Sequence, residues 1–204
     1  MRRCRNGLLL VALGMLWAGT TVAQTVYSNG PTNGNTDAWT IDFGFVVSDT
    51  FLVANNGTEI TGFTMANWLT PGSLLTSAEL SITSGENGGT SYFDQVVSFT
   101  QSNCTQNRSG YDVCDESAAF QGPTLNVGTY WINIQNASTT GEAAYWDENS
   151  GPALASENSV GSIPSESFTI SGSGSGSTVP EPGSGVLFGS GVLALVGLLR
   201  RKLL

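Results

Sequence analysis

The chain has 204 residues, with sixteen acidic and seven basic side chains, no histidine and a formal net charge of −9. Six of the basic residues lie within five residues of a terminus, so residues 24–178 carry fifteen acids and one arginine, Arg108, a net charge of −14. This distribution excludes histidine catalysis and histidine metal ligands. It also argues against nucleic-acid binding, because one cation neutralises too few phosphates.

Residues 1–23 are typical of a cleavable signal peptide. Three arginines within the first five residues form the charged start, and an apolar run from Leu8 to Trp17 precedes small residues ending at Ala23. About ten apolar residues are too few for the ~30 Å hydrocarbon layer of a membrane. We therefore expect export with cleavage near Ala23, and not a membrane anchor at this end.

Residues 24–170 predict one all-β domain, a β-sandwich of the jelly-roll kind. Apolar and polar residues alternate in eight or nine short segments, separated by turn signals such as Asn56-Gly57 and Pro71-Gly72. Only the stretch at 74–80 is ambiguous. Within each segment, the alternation predicts that the apolar residues lie on one face. These groups are Trp39, Ile41, Phe43 and Phe45; Phe51 and Val53; Phe63 and Met65; Leu80 and Ile82; Phe93, Val97 and Phe99; Tyr130, Ile132 and Ile134.

Two cysteines, Cys104 and Cys114, remain once the signal peptide is removed. An even pair in an exported chain predicts a disulfide. Closing its eleven-residue loop stabilises the fold by roughly 2–3 kcal/mol in the chain-entropy treatment. The alternatives are a redox pair, which favours Cys-x-x-Cys spacing, and a metal site, which lacks further ligands here.

The densest polar and aromatic cluster is the segment Trp146-Asp147-Glu148-Asn149, between a predicted strand and a turn. Asp147 and Glu148 are candidate ligands for Ca²⁺, which takes carboxylate and carbonyl oxygens from loops. There is no EF-hand pattern. The alternative is an acidic loop in solvent, with Asn149 capping the turn.

Trp131 and Trp146, with Asp147, Glu148 and Asn149, are also candidates for binding a sugar, since a flat aromatic face beside an acid or amide suits a polysaccharide. Trp131 is the better candidate, because its position in the strand opposes the apolar face of Ile132 and Ile134. The alternative is that both tryptophans fill the core or cover a second face.

We expect no enzymatic activity and name no catalytic residue. A serine hydrolase needs a base, and residues 24–178 contain neither histidine nor lysine. Two carboxylates are able to hydrolyse glycosides, but no pair stands out in the sequence.

The C-terminal part predicts a linker followed by a membrane helix. Residues 171–178 are a flexible Gly/Ser linker, and residues 179–204 have three parts: Val-Pro-Glu-Pro at 179–182, an uncharged apolar stretch at 183–199 and a basic cluster at 200–202. Seventeen residues lie at the lower edge for a membrane span. The basic cluster places that end in the cytoplasm, so the domain faces outward.

This tail resembles the PEP-CTERM sorting tail. Pro180, Glu181 and Pro182 match its recognition motif, and Arg200 and Arg201 match its stop signal. The resemblance implies export in a Gram-negative bacterium and recognition by an exosortase, an intramembrane cysteine transpeptidase. It also implies delivery to the cell surface or the extracellular matrix, in a family associated with exopolysaccharide and biofilm. Residues 36–41, 128–131 and 145–152 resemble the ectodomains of other PEP-CTERM proteins, which implies architecture only.

Three hypotheses for the function remain. The first is a structural or adhesive component of the extracellular polysaccharide layer, without a resident cofactor. The second is a carbohydrate-binding module, dependent on Ca²⁺ in one version. The third, least favoured, is a small glycosidase with an acid pair. None of the three involves nucleic acid.

Overall fold

This computed structural model describes residues 23–173, which fold into two antiparallel sheets. They contain fourteen strands: β1 (Gln24–Ser28), β2 (Ala38–Thr40), β3 (Val47–Val53), β4 (Thr58–Leu69), β5 (Leu75–Gly85), β6 (Gly88–Ser98), β7 (Thr100–Gln106), β8 (Asp112–Ala119), β9 (Thr124–Leu125), β10 (Gly128–Thr139), β11 (Ala144–Asp147), β12 (Ala155–Glu157), β13 (Gly161–Ile163) and β14 (Phe168–Ser173).

The first sheet, called the β4 sheet here, is organised around its longest strand. Its order is β1-β14-β4-β11-β2, with β8 and β9 also paired to β4 and with β7 paired to β8. The twelve residues of β4 are long enough to pair with β14 and β11 along one edge and with β9 and β8 along the other. The second sheet, the β10 sheet, has the order β13-β12-β3-β10-β5-β6.

The two sheets pack face to face over one hydrophobic core. Inward-facing residues alternate along the strands, as a pleated backbone requires: Ala78, Leu80 and Ile82 in β5, and Ile132 and Ile134 in β10. Phe63, Trp146 and Phe168 meet them from the β4 sheet, with ring centroids 5.6–6.0 Å apart. The all-β prediction is thus confirmed, as a two-sheet sandwich.

A second, smaller layer covers the outer face of the β4 sheet. Ala66, Trp68 and Val113 form its buried centre, and Tyr111 and Tyr145 pack against them. β7 and β8 lie at the edge of this sheet and are joined by the Cys104–Cys114 disulfide, with an S–S distance of 2.05 Å. The predicted cysteine pairing is therefore present in the structure.

Two predictions about the elements need correction. The alternation at residues 39–45 does not continue as a strand, because β2 ends at Thr40; Phe43 has a positive φ of 53° and is 77% exposed. β14 extends to Ser173, so three residues of the predicted linker belong to the sheet. The ambiguous stretch at 74–80 is a strand from Leu75 onward.

Residues 23–173 contain no helix that is long and apolar enough to cross a membrane. The predictions for the signal peptide, the helix at 183–199 and the residues Pro180, Glu181, Pro182, Arg200 and Arg201 lie outside the described residues.

Candidate functional site

A groove of about 470 Å³ contains two of the candidate sugar-binding residues, Trp131 and Asn149. Glu86 and the turn at 150–155 also line it, and residues 162–165 form its other wall. Trp131 is paired with Thr50 of β3 and Thr83 of β5, on the side of β10 opposite to Ile132. The prediction that Trp131 faces away from the core is confirmed.

Next to Trp131, hydrogen bonds between polar groups hold the outer face of the β10 sheet and the β5–β6 turn together. The Asn133 Oδ1 atom accepts hydrogen bonds from the Ser48 hydroxyl at 2.7 Å and the Asn87 backbone N–H at 3.1 Å, while its amide donates to the Thr83 hydroxyl at 2.9 Å. The Ser156 hydroxyl donates to the Glu86 carboxylate. These contacts hold the β5–β6 turn, and with it Glu86, at the rim of the groove.

The turn on the other side of the groove is held by Asn149. Its amide donates to the Asn29 carbonyl at 2.9 Å, and its Oδ1 accepts from the Gly151 backbone N–H at 2.8 Å. Gly151 fits because a Cβ there would overlap the Asn29 carbonyl oxygen. Asn149 therefore caps the turn, and it reaches the groove as part of its wall.

Trp146 is wholly buried and has no exposed ring face for a sugar. Its indole N–H donates to the Ser167 carbonyl at 2.9 Å, and its ring packs edge-on against Phe63 and Phe168. The sequence placed Trp146 with Trp131 as a candidate, but β11 lies between β2 and β4, so Trp146 belongs to the core.

Asp147 is also wholly buried, on the outer side of the β4 sheet. Its Oδ1 accepts from the Trp68 indole N–H and the Gly34 backbone N–H, both at 2.7 Å, and its Oδ2 accepts from the Asn33 backbone N–H at 2.7 Å. Burial raises the pKa of Asp147, and these three donors oppose that effect. The Asp147 carboxylate therefore binds hydrogen-bond donors of the protein itself, which is a structural role.

Glu148 points to the other side and meets Glu166, its partner in an antiparallel β-bridge. Burial raises the pKa of Glu148 and, with the nearby Asp49 and Glu148 carboxylates, raises that of Glu166 well above its ordinary value. Burial also raises the pKa of Asp49 to about 7. The two neighbours in sequence, Asp147 and Glu148, thus belong to different environments.

No group of three histidine, cysteine, aspartate or glutamate side chains in residues 23–173 is placed to hold a metal ion as it stands. Sequence reasoning overlooked Glu86 and Glu166 and counted Asp49 only among further oxygen donors for Ca²⁺, without expecting its burial. The available signal for Asp49 was its position: it shares a face with Val47 and Phe51, where an apolar residue is expected. For Glu86, the sequence indicated only a position in a turn. For Glu166, no sequence pattern indicated that the side chain is buried.

A family comparison addresses the tail. The family model for the PEP-CTERM protein-sorting motif matches residues 178–202, and the search of curated proteins found no match to the chain. The matched segment contains every residue that the sequence assigned to the sorting signal. The motif is the substrate signal of exosortase and implies a secreted, membrane-processed protein destined for the surface. The chain thus carries a match to the PEP-CTERM protein-sorting motif at residues 178–202, after a two-sheet β-sandwich.

Proposed function

We propose that this protein is a non-enzymatic, adhesive component of the cell surface or extracellular matrix, and that it binds extracellular polysaccharide through the Trp131 groove. The observation that supports the proposal is the convergence of Trp131, Glu86 and the turn held by Asn149 on one open groove. Aromatic rings with a polar rim suit sugars, because the ring packs on the C–H face while the carboxylate accepts hydrogen bonds from hydroxyl groups.

The charge of the domain narrows the class of polysaccharide. With fifteen acids and one arginine in residues 24–178, the domain repels polyanions at neutral pH. Glu86 at the groove rim adds to this repulsion. An uncharged polysaccharide is therefore the expected ligand, and an anionic one requires a divalent cation between the two surfaces.

The proposal is non-enzymatic because the carboxyl groups with the pKa values suited to acid catalysis are out of reach of a sugar. Asp49, Glu116 and Glu166 have the most strongly raised pKa values, but all three side chains are wholly buried. Burial also raises the pKa of the half-buried Glu148, which does not line the groove. A glycosidase needs its acid and its base or nucleophile in contact with the glycosidic bond. Reducing-end release from matrix polysaccharide by the wild-type protein would contradict this part of the proposal.

The test is a binding assay of the full chain, purified in detergent, against immobilised neutral and anionic polysaccharides with and without Ca²⁺. Trp131→Ala is expected to weaken binding about tenfold or more, because it removes ~1.5–3 kcal/mol of buried apolar contact. Phe43→Ala is the matched control, since Phe43 is an exposed aromatic residue that does not line the groove. Equal binding by wild type and Trp131→Ala, or no binding by the wild type, would contradict the proposal.

A further inference from the structure

The strand β6, at one edge of the β10 sheet, has an unpaired side. Within residues 23–173, β6 pairs with β5 and with no other strand. It has eleven residues, whereas β1, β2, β7, β9 and β13, which also lie at sheet edges, have between two and seven. An exposed edge of this length offers its backbone donors and acceptors to another strand.

One hydrogen bond shows which backbone groups of β6 point away from β5. The Phe99 N–H donates to the Thr76 carbonyl at 3.1 Å, so these two residues are a hydrogen-bonded pair. Such pairs alternate with non-hydrogen-bonded pairs along an antiparallel ladder, and the register with β5 is continuous from Ser98 back to Phe93. The backbone groups of residues 93, 95 and 97 therefore face β5, and those of residues 94, 96 and 98 face outward.

This part of β6 lacks the features that commonly protect an edge strand, which are lysine, proline, bulges and short length. Residues 93–98 contain no lysine or proline, and their one charge is Asp94. The irregularity in the pairing with β5 lies before Phe93. Val96 is 71% exposed, on the face opposite to the buried Phe93 and Val97. An apolar, regular strand edge is thus open to another chain.

The outward residues of β6 are complementary to themselves. When two copies lie antiparallel about a two-fold axis at Val96, the Val96 side chains are opposite each other, and Asp94 of each copy is opposite Ser98 of the other. The serine hydroxyl is able to donate to the carboxylate, and about six backbone hydrogen bonds form. An axis at Asp94 instead sets two like charges opposite each other, which is destabilising.

We propose that two copies of this chain associate through β6, antiparallel and with Val96 opposite Val96, so that their β10 sheets become one continuous sheet. A single strand pair is a small contact compared with the ~1,200–2,000 Å² of stable complexes, so the dimer is reversible. Each copy carries a net charge of −14 in residues 24–178. Association therefore strengthens as salt screens the repulsion between the copies.

This dimer places the two Trp131 grooves on the same side. The two-fold axis is perpendicular to the joined sheet, so the outer faces of both copies point in one direction. The β5 and β6 strands of both copies separate the two Trp131 residues, a lateral distance of about 24 Å at ~4.8 Å per strand. Two grooves so arranged bind one polysaccharide chain more tightly than a single groove does. This consequence rests on the proposed function, whereas the dimer does not.

The test is sedimentation equilibrium of the full chain in density-matched detergent, over a concentration series at low and high salt. Wild type is expected to show a monomer–dimer equilibrium that shifts toward the dimer at high salt. Val96→Lys is expected to weaken association about tenfold or more, because two like charges then lie opposite each other. Val160→Lys adds the same charge at a 61% exposed valine between β12 and β13, and this control should associate as the wild type does.

A mixture of Val96→Lys and Val96→Glu makes the test specific for the register. Each variant alone is expected to remain monomeric, whereas the mixture should dimerise, because opposite charges then face each other. The proposal is overturned if the wild type stays monomeric, if both variants associate as the wild type does, as expected for contacts made elsewhere in the chain, or if the mixture associates no better than its components. Polysaccharide is absent throughout, so the result is independent of sugar binding by the Trp131 groove.

Discussion

Single residues give this sandwich an interior that is unusually acidic. Asp49, Glu116 and Glu166 lie on inward faces beside apolar neighbours and are wholly buried. Glu116 stands between Cys114 and Ala118 on β8, on the inner side of the β4 sheet. Burying a carboxyl group in its charged form lowers the free energy of unfolding, so each of these residues is expected to have a measurable effect on it.

The clearest case for pH dependence is Glu116. Its two carboxylate oxygens have no hydrogen-bond partner among residues 23–173, and burial, followed by the charge of Asp115, raises its pKa to about 8. In the unfolded chain the pKa is near 4.5. The folded state therefore holds the proton more tightly. The stability gained from the neutral acid is fully present below pH ~4.5 and is lost as the pH rises through about 8.

The amide in the Glu116→Gln variant cannot ionise, so the variant is not expected to lose this stability as the pH rises. Between pH 5 and pH 8, its free energy of unfolding should rise relative to wild type by on the order of 3 kcal/mol. Denaturant unfolding at both pH values measures the difference. Glu142→Gln, at an exposed acid between β10 and β11, is the control and should follow the wild-type pH profile. A Glu116→Gln difference that is the same at pH 5 and pH 8 would show that Glu116 does not titrate in this range.

The two candidate tryptophans show what the sequence predicts about a site residue and what it does not. Trp131 was predicted to face outward because it alternates with Ile132 and Ile134, and this local pattern is correct. Trp146 lies in a four-residue strand, where alternation carries little information. Its burial is decided by the pairing of β11 with β2 on one side and β4 on the other, which is a long-range property.

At the scale of elements, strand length decides how well the sequence predicts the fold. β10, with twelve residues, shows clear alternation at Tyr130, Ile132 and Ile134 and was predicted. Of the eleven residues of β5, only the part with Leu80 and Ile82 was predicted, and its first residues were ambiguous. β9, β12 and β13 have two or three residues, too few for a period of two to appear. The end of β14 was missed for another reason: backbone pairing with β1 and β4 holds its Gly/Ser residues, independently of their side chains.

The segment at 29–36, between β1 and β2, is the element most dependent on one side chain. The Asp147 carboxylate accepts hydrogen bonds from the backbone N–H groups of Asn33 and Gly34 and from the Trp68 indole N–H. These bonds hold the segment against the outer face of the β4 sheet. Gly34 packs close to Val113 with a positive φ of 68°. Without the carboxylate, two backbone donors and one indole lose their acceptor.

Asp147→Asn is expected to destabilise the protein by about 2–4 kcal/mol, because an amide has one acceptor oxygen and directs its own N–H groups at donors. Amide hydrogen exchange at residues 33 and 34 should accelerate more than in β10. Asp112→Asn is the matched control, since the Asp112 carboxylate accepts one exposed hydrogen bond, from the Gly72 N–H at 3.0 Å. Equal losses of stability in the two variants would contradict the role of Asp147.

At the scale of the whole molecule, charge distinguishes the sandwich from the matched sorting motif. Fifteen of sixteen acids lie in residues 24–178, whereas three of the seven basic residues lie at 200–202, at the end of the matched sorting motif. The motif begins at residue 178, beyond the last strand of the sandwich at Ser173. Sorting and folding are therefore expected to respond to different substitutions.

Replacing Pro180, Glu181 and Pro182 together by alanine tests this separation in a host that contains an exosortase. The unprocessed form of the variant is expected to accumulate in the membrane fraction, because the recognition motif is lost while the sandwich is intact. Cell fractionation and intact-mass measurement give the processing state, and circular dichroism gives the fold. The control is Ser175→Ala with Ser177→Ala, which alters the preceding Gly/Ser segment and leaves the motif unchanged.

Two outcomes of this experiment carry different meanings. If the alanine variant is processed and delivered as the control is, the Pro-Glu-Pro triplet is not the signal that directs this chain. If the variant remains in the membrane but still binds polysaccharide in detergent, adhesion belongs to the sandwich alone, and the tail decides only where it acts. The second result is expected, because the groove is lined by Glu86, Trp131 and residues within 149–155 and 162–165, all of them before the linker.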